Sequence, residues 1–170
     1  MIEVKLNSSQ LYQAATVGVI RQVRNISDNR KPRYEAGNQN DWQLHIEGCL
    51  AEMVVAQHLG LFWDGNIGIL SAGDVGDLEV RSTQHASGRL ILHPKDKDES
   101  KYFLVTGVNG VYQIHGWMFG RDGKQNKYWK DPSQGRPAYF IPKNDLNDIK
   151  LLSNMRTDNF INEAAVIGAA

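Results

Sequence analysis

The chain has 170 residues, of which 41% are hydrophobic and 22% charged, and its formal net charge is zero. This composition is that of one globular domain large enough to bury a core, and it excludes a globally basic surface, so any basic patch must be local. A single cysteine, Cys49, excludes an internal disulfide and favours a reducing, cytoplasmic location. We read no signal peptide in the first ten residues and no apolar run of the roughly 18 residues that a membrane span needs.

A first helix is predicted close to the N-terminus. Ser8 and Ser9 are typical helix-capping residues, and the apolar periodicity behind them extends to about Asn25. Its expected inner face consists of Leu11, Ala14, Ala15, Gly18, Val19 and Val23. Residues 28–41 are polar and predict a loop that separates this helix from the next one.

A second helix is predicted from Trp42 to about Leu59, with Asp41 as its N-cap and Gly60 at its end. Apolar residues lie on nearly all sides of it, which predicts that it is largely buried. Glu52 falls among these positions, so its carboxylate is expected to be half-buried and to need a partner or a shifted pKa. A salt bridge to an arginine is the purely structural alternative.

Strand signals follow the second helix. Residues 78–83 alternate in polarity, residues 85–88 indicate a turn, and residues 89–93 are expected to return as the next strand. The turn Val108-Asn109-Gly110 predicts a second hairpin between residues 101–107 and 111–120. The remaining predicted segments are a solvated turn at residues 95–100, a polar loop or short helix at 121–136, a last strand at 137–142 and a short helix from 144 to 152.

Helices that precede a run of strands indicate an α+β fold. We expect one mixed β-sheet flanked by helices, in a single domain over residues 1–170. Its parts would be the N-terminal helix and polar loop at 1–41, the core at 42–152, and a weakly periodic tail at 153–170.

The segment 72–83, AGDVGDLEVRST, carries the most informative pattern. Side chains alternate faces along a strand, so Glu79 and Arg81 should share one face with Asp77, opposite the apolar residues. Asp74 precedes the strand in a turn whose flanking glycines permit a tight approach. This turn can bring Asp74 within reach of Glu79.

Two carboxylates that are held close together repel each other unless a cation joins them. Mg²⁺ prefers hard oxygen ligands and would suit Asp74 and Glu79, while Arg81 could neutralise a phosphate or a developing oxyanion. The pattern therefore favours metal-assisted hydrolysis of a phosphodiester. The alternative is a solvent-facing strand with an ordinary ladder of Glu and Arg side chains.

The order of these motifs resembles the PD-(D/E)XK nuclease superfamily: Gly48-Cys-Leu-Ala-Glu52 on a helix, a turn aspartate, then Glu79-Val80-Arg81 on a strand. Gly48 to Glu52 matches the G-x-x-x-E helix of archaeal Holliday-junction resolvases, and the short gap before Glu79 resembles that of the mismatch-repair nicking endonuclease. GWMFGRD and RPAYFIP look like later strands of restriction-endonuclease-like domains. The chain is also similar to uncharacterised phage proteins that contain G-D-V-G and E-V-R-S-T. The resemblance covers residues 44 to 145.

The resemblance implies a role for each matching residue. Asp74 would be the main metal ligand, Glu79 the second ligand, and Val80 would offer its backbone carbonyl to Mg²⁺ or Mn²⁺. Glu52 would assist the metal or the attacking water. Arg81 stands where the superfamily usually has lysine, and an arginine stays protonated, so it can stabilise charge but cannot help to deprotonate water. Asp77 is the alternate aspartate and Glu47 the alternate helix carboxylate.

Two basic segments, residues 21–33 and 121–136, are candidates for phosphate contact. The residues expected to bind nucleic acid are Arg30, Lys31, Arg33, Lys124, Lys127 and Lys130. Tyr128 and Trp129 lie among the latter three and could stack on bases. The alternative for both segments is a solvated loop.

Together these observations predict a metal-dependent deoxyribonuclease, an endonuclease encoded by a phage and acting on DNA in the host cytoplasm. Two alternatives stay open: a nuclease-fold module that binds nucleic acid without cutting it, and a protein-interaction or virion-associated domain. The sequence does not decide the oligomeric state, and a homodimer is also open.

Overall fold

The computed structural model describes residues 1–30, 40–67, 73–132 and 135–152. The helices are α1 (Ser8–Ser27), α2 (Asp41–Leu59) and the single turn α3 (Gly120–Gly123). The strands are β1 (Ile2–Lys5), β2 (Leu78–Thr83), β3 (Leu90–Leu92), β4 (Lys101–Val108), β5 (Val111–Phe119), β6 (Trp129–Lys130) and β7 (Ala138–Ile141). No described helix has both the length and the apolar character to cross a membrane.

The strands form two sheets. The larger sheet has the order β1-β5-β4-β2, in which β2 runs parallel to β4 and the other pairs are antiparallel. A second, antiparallel sheet has the order β3-β7-β6. The predicted α+β class with a mixed sheet is therefore confirmed. Strand β1 was not predicted, and it completes the larger sheet by pairing with β5.

Each face of the larger sheet is covered by a different layer. Helices α1 and α2 cover one face, where Phe103 and Val105 point into the main core. The small sheet covers the other face, where Tyr102 and Leu104 contact a second apolar cluster. Because β4 is buried on both faces, its middle is a continuous apolar run, as is typical of a strand enclosed between two layers.

Strand β3 does not return alongside β2, as the sequence had predicted, but pairs with β7. Leu90 and Leu92 are fully buried in the second cluster, against Ile141. The neighbour of β2 is β4 instead, and β2 is the edge strand of its sheet. Burial of the two leucines against the far side of the sheet explains why β3 leaves β2.

The limits of the two long helices agree with the sequence to within a few residues. Asn7 rather than Ser8 caps α1, in a capping box with Gln10. Asn40 rather than Asp41 caps α2, and Gly60 ends α2 as predicted. Both corrections move the cap by one residue to an asparagine whose side chain accepts a backbone N–H.

The inner face of α1 differs from the predicted one. Ala14, Gly18 and Gln22 are buried, whereas Val19 and Val23 are 38% and 48% exposed. Gly18 explains the difference, because a Cβ there would lie 2.6 Å from the Cα of Ile46 in α2. The close approach of the two helix backbones therefore decides which side of α1 faces the core.

The remaining predictions are mostly confirmed. The hairpin between β4 and β5 turns at Asn109 and Gly110, which both have positive φ angles, and β7 forms where the last strand was expected. The polar segment after β5 contains α3, a 3-10 turn at Asn126–Tyr128 and β6. The predicted short helix from 144 to 152 is not continuous, because the 3-10 turn at Lys143–Asp145 is followed by Leu146 in an extended conformation and by Asn147, which forms a β-bridge with Trp117. The tail from residue 153 lies outside the described residues.

Replacing Gly18 by Ala should destabilise the protein by about 1–3 kcal/mol, because the added methyl meets the α2 backbone rather than a side chain that can move. Gly48→Ala is the matched control, since a Cβ at Gly48 has nothing within 4 Å. That variant should gain about 0.5–1 kcal/mol from helix propensity. Urea unfolding followed by circular dichroism measures the stability of both variants. Equal changes in stability would contradict the close approach of α1 and α2 at Gly18.

Candidate functional site

A tight turn places Asp74 beside the edge strand β2. The backbone N–H groups of Asp74 and Val75 both donate to the carbonyl of Leu78. Gly76 has φ 61°, and a Cβ at Gly73 would lie 2.6 Å from the carbonyl oxygen of Gly76, so both glycines are needed for this turn. The Asp74 carboxylate then accepts the Val80 N–H at 2.7 Å. Asp74 is therefore fixed against the strand that carries the Glu79-Val80-Arg81 motif.

Glu79 and Arg81 lie on the same face of β2, as the alternation predicts. Their charged groups are 3.5 Å apart, and the other end of the guanidinium lies 3.3 Å from the carboxylate of Asp96. The guanidinium also stacks over the ring of Tyr102, 4.9 Å from its centroid. Asp77, the alternate aspartate, instead pairs with Lys101 at 3.1 Å at an exposed position.

The sequence did not indicate Asp96 as a site residue, because it lies in the segment expected to be a solvated turn. Its side chain is only 13% exposed, and its second oxygen accepts the His93 N–H at 2.9 Å. No pattern in the sequence distinguished Asp96 from the other charged residues of this segment. Asp96 thus adds a third carboxylate to those of Asp74 and Glu79.

Glu52 is 4% exposed and fully hydrogen-bonded within the protein. Arg21 donates to both of its oxygens, at 2.5 and 2.9 Å, and the indole N–H of Trp63 donates at 3.0 Å. Arg21 also donates from Nε to the carbonyl of Asn66 at 3.0 Å. The structural alternative for Glu52, a salt bridge to an arginine, is what the structure contains. The sequence placed Arg21 only within a basic segment, and nothing in it indicated this pairing.

The carboxylates of Glu52, Asp74 and Glu79 interact electrostatically. Burial raises the pKa of all three, and the charge of Asp74 raises the pKa of Glu52 and of Glu79 further. The hydrogen bonds and charge of Arg21 act in the opposite direction on Glu52, and Arg81 does so on Asp74 and Glu79. Asp74 therefore lies close enough to influence both Glu52 and Glu79.

Charges at the site do not balance when every group is ionised. Four carboxylates, those of Glu52, Asp74, Glu79 and Asp96, face three cationic groups, those of Arg21, Arg81 and Lys97, so negative charge is in excess by one. Burial lowers the pKa of Arg81, but the charges of Asp96, Asp74 and Glu79 outweigh this and raise it overall. Arg81 is thus a permanent cation at this site and cannot serve as a base.

Asp74, Glu79 and the carbonyl of Val80 would be the ligands of a divalent cation. Among the described residues, no group of three or more His, Cys, Asp or Glu side chains has the arrangement of a metal site. Two carboxylates with raised pKa values do fit a hard cation, because it would relieve their mutual repulsion. The match to a divalent cation therefore depends on the charge and oxygen atoms of these residues and not on a complete set of protein ligands. Cys49 supplies no thiolate, since burial raises its pKa to about 12.

Glu47, the alternate helix carboxylate, lies away from this cluster. It accepts the hydroxyl of Tyr112 and lines a cleft near the C-terminal end of β2, with Ser82 and Thr83. The structure thus places Glu52, not Glu47, next to Asp74.

The residues of the two basic segments differ in how accessible they are. Arg30 pairs with Asp28 at 2.9 Å, and Lys31 and Arg33 lie outside the described residues. Lys124 is 15% exposed and donates to the Asp98 carboxylate at 2.7 Å and to the backbone carbonyl of Asp96. Lys124 therefore anchors the turn that carries Asp96, which leaves it little freedom to contact phosphate.

Lys127 and Lys130 are exposed and lie beside an aromatic group. Tyr128 is buried and donates its hydroxyl to Asp145 at 2.7 Å, so it cannot stack on a base. Trp129 is 41% exposed and packs against Tyr139, with ring centroids 4.7 Å apart. Of the two aromatics that the sequence singled out, Trp129 is the one with an accessible face.

Comparison with protein-family models, with curated proteins and with solved structures finds no match for this chain. The functional argument therefore rests on the residues and on the geometry of the site.

Glu79→Gln should raise the free energy of unfolding at neutral pH. Burial raises the pKa of Glu79 in the folded protein, so the folded state holds its proton more tightly than the unfolded chain does. The stability from that proton is present at low pH and is lost as the pH rises from the ordinary pKa of 4.5 through the raised value. The difference between variant and wild type should therefore be largest at neutral pH and vanish below the ordinary pKa.

Urea unfolding from below the ordinary pKa of Glu79 to neutral pH measures the free energy of unfolding of the variant and of the wild type. Asp77→Asn is the matched control, because Asp77 is an exposed carboxylate of the same segment and should change stability by no more than about 0.5 kcal/mol. A Glu79→Gln variant that is less stable than wild type at neutral pH would show that the ion pair with Arg81 outweighs the repulsion.

Proposed function

We propose that this chain is a divalent-metal-dependent nuclease of the PD-(D/E)XK kind that hydrolyses DNA phosphodiester bonds. The observation that carries the proposal is the pair Asp74 and Glu79 at the open edge of the mixed sheet. Both carboxyl groups have raised pKa values because of burial, and Arg81 lies directly beside them. The combination of two oxygen ligands and a permanent cation suits a bound phosphate.

Each residue of the motif has a defined part in this proposal. Asp74 and Glu79 would hold the cation together with the Val80 carbonyl. When bound, the cation would polarise a phosphate oxygen and lower the pKa of a coordinated water. Arg81 grips a phosphate oxygen and stabilises the charge that develops on it, but it does not take up a proton.

Glu52 has a supporting part rather than a direct one. Both of its oxygens are already hydrogen-bonded to Arg21, and the indole of Trp63 shares one of them. Glu52 instead holds Arg21 close to Asp74, where the charge of Arg21 counteracts part of the rise in the pKa of Asp74 that burial causes. This favours the ionised form of Asp74, which is the form that binds a metal ion.

A second candidate is a module that binds nucleic acid without cleaving it. The observation in its favour is that Arg81 is already held between Glu79 and Asp96, at the position where a nuclease of this superfamily usually carries a lysine. A guanidinium that is held in this way can orient a phosphate without assisting hydrolysis.

Wild-type protein should cleave single-stranded, double-stranded or branched DNA in the presence of Mg²⁺ or Mn²⁺. Glu79→Gln should lower the cleavage rate by more than about 100-fold, because loss of a ligand should exceed the 10- to 100-fold effect of losing an outer partner. A stable but inactive Glu79→Gln variant separates a catalytic loss from a folding defect, and Asp77→Asn should keep its activity. Wild-type protein that binds DNA but cuts none of these substrates would favour the second candidate.

Arg81→Lys tests the departure from the usual motif. If Arg81 occupies the position of the catalytic lysine, the variant should retain or increase cleavage. If Arg81 serves mainly to join Glu79 and Asp96, lysine cannot reach both carboxylates in the same way and the melting temperature should fall. Cleavage and melting measured on one preparation distinguish these outcomes.

DNA affinity should depend on Lys127 and Lys130 more than on Lys124. The double variant Lys127→Ala/Lys130→Ala should weaken binding of all DNA sequences alike. The slope of the logarithm of the binding constant against the logarithm of the salt concentration should become shallower by about one unit for each lost phosphate contact. Lys124→Ala should lower the melting temperature instead, because it frees the turn that holds Asp96. Fluorescence anisotropy over a salt series makes the comparison, and an unchanged slope in the double variant would show that this loop is a solvated surface.

A further inference from the structure

A second polar cluster lies on the larger sheet at the opposite end of the β2–β4 pair from Glu79. The imidazole Nε2 of His115 is 2.7 Å from the hydroxyl of Thr106 and 3.1 Å from the ammonium nitrogen of Lys143. Thr106 is 3% exposed, whereas His115 and Lys143 are partly exposed above it. A buried hydroxyl thus lies beneath two groups that can each carry a positive charge.

The backbone is shaped to present His115 at this point. Leu104 pairs with Gly116 and Val105 with Ile114, so His115 is the extra residue of a β-bulge in β5. Gly116 has φ 149°, and a Cβ there would lie 2.5 Å from the carbonyl oxygen of Asn147, so the bulge is held against the chain that follows β7. Bulges of this kind re-aim a side chain and are common next to functional sites.

The charge at this cluster is not compensated. Lys143 donates to the carbonyl of Ala86 and lies against His115, and neither residue forms an ion pair with a carboxylate of the described residues. Burial, the charge of Lys143 and the charge of the N-terminal ammonium of Met1 lower the pKa of His115 to about 4, and burial also lowers the pKa of Lys143. An ammonium has three protons, of which two are used here, so one remains for a ligand.

We propose that Lys143 and His115 form a phosphate-binding site: when the imidazole is protonated, its Nε2–H donates to the hydroxyl oxygen of Thr106, and the ammonium of Lys143 turns from Nε2 to the phosphate. Thr106 positions the imidazole from below. The ligand is an anion with several oxygen acceptors, either the phosphodiester of a nucleic acid or free phosphate. Binding would supply the negative charge that this cluster lacks and would let His115 take up a proton.

The location suggests how the site would serve the proposed nuclease, and this step alone rests on that proposed function. Thr106 is paired with Thr83, four residues along β2 from Glu79. Four residues of strand span about 13 Å at roughly 3.3 Å each, which corresponds to about four nucleotides along one strand of B-DNA. A DNA strand that runs along the open edge of β2 could therefore reach both the carboxylates and Lys143.

Nuclear magnetic resonance of the histidine side chains tests the site without any divalent metal, so the result does not depend on cleavage. The protein is held in phosphate-free buffer at a pH between about 4, the lowered pKa of His115, and 6.5, the ordinary pKa of imidazole. Inorganic phosphate is titrated in one series and a single-stranded oligothymidylate in another, with His115→Gln used to assign the resonance. Addition of phosphate should shift the His115 resonance towards the chemical shift of the protonated imidazole, and the shift should saturate.

Lys143→Met should weaken phosphate binding by about tenfold, the effect of losing one charge-assisted hydrogen bond, while Lys143→Arg should retain it. Lys5→Met, which removes an exposed lysine from β1, should have no effect. If both phosphate and oligothymidylate shift the His115 resonance, the site binds nucleic acid. If only phosphate shifts it, the ligand is the free anion. A His115 signal that neither probe moves, or that moves equally in Lys143→Met, would overturn the proposal.

Discussion

The buried ion pair between Arg21 and Glu52 is the interaction on which the arrangement of the site depends. It joins α1 to α2 with two hydrogen bonds, at 2.5 and 2.9 Å, and Trp63 adds a third to the same carboxylate. Removal of one partner from such a pair leaves an uncompensated buried charge and typically costs about 3–5 kcal/mol. The pair also acts on Asp74, because Arg21 attracts its negative charge while Glu52 repels it, although burial, the Val80 N–H and Arg81 have larger effects there.

The second constraint is the place of β2 at the edge of a sheet that is covered on both faces. One face of β2 packs on the helices and is apolar, so its charged residues must all lie on the other side or at the open edge. Charge is thereby concentrated in a small, half-buried region where water screens it poorly. Burial and the neighbouring negative charge disfavour the ionised form of Glu79 in the folded protein, and under the proposed function the same charge would attract a cation. Stability and the proposed activity are therefore opposed at Glu79, as is common for functional sites.

Opposite charges occupy opposite ends of the β2–β4 pair. On the face that carries Glu79, carboxylates gather at the N-terminal end, and Lys143, which has no carboxylate partner among the described residues, lies beside His115 near the C-terminal end. The net charge of zero hides this polarity, because it sums over both ends. A local basic region can thus exist in a neutral protein, provided that tertiary structure brings together residues that are distant in the chain.

Local patterns in the sequence were sufficient for the two helices, the β4–β5 hairpin, strand β7, the α+β class and the shared face of Glu79 and Arg81. These features depend on periodicity, capping and turn residues within a few positions of one another. What the sequence could not determine is which distant partners meet: Arg21 with Glu52, Asp96 with Arg81, Lys143 with His115, and β3 with β7 rather than β2. Each of these pairings requires the chain to close a loop, and only the combined packing of helices and sheets decides which loop closes. The exposure of Val19 and Val23 has the same origin, since the close contact at Gly18 is a property of two helices and not of one.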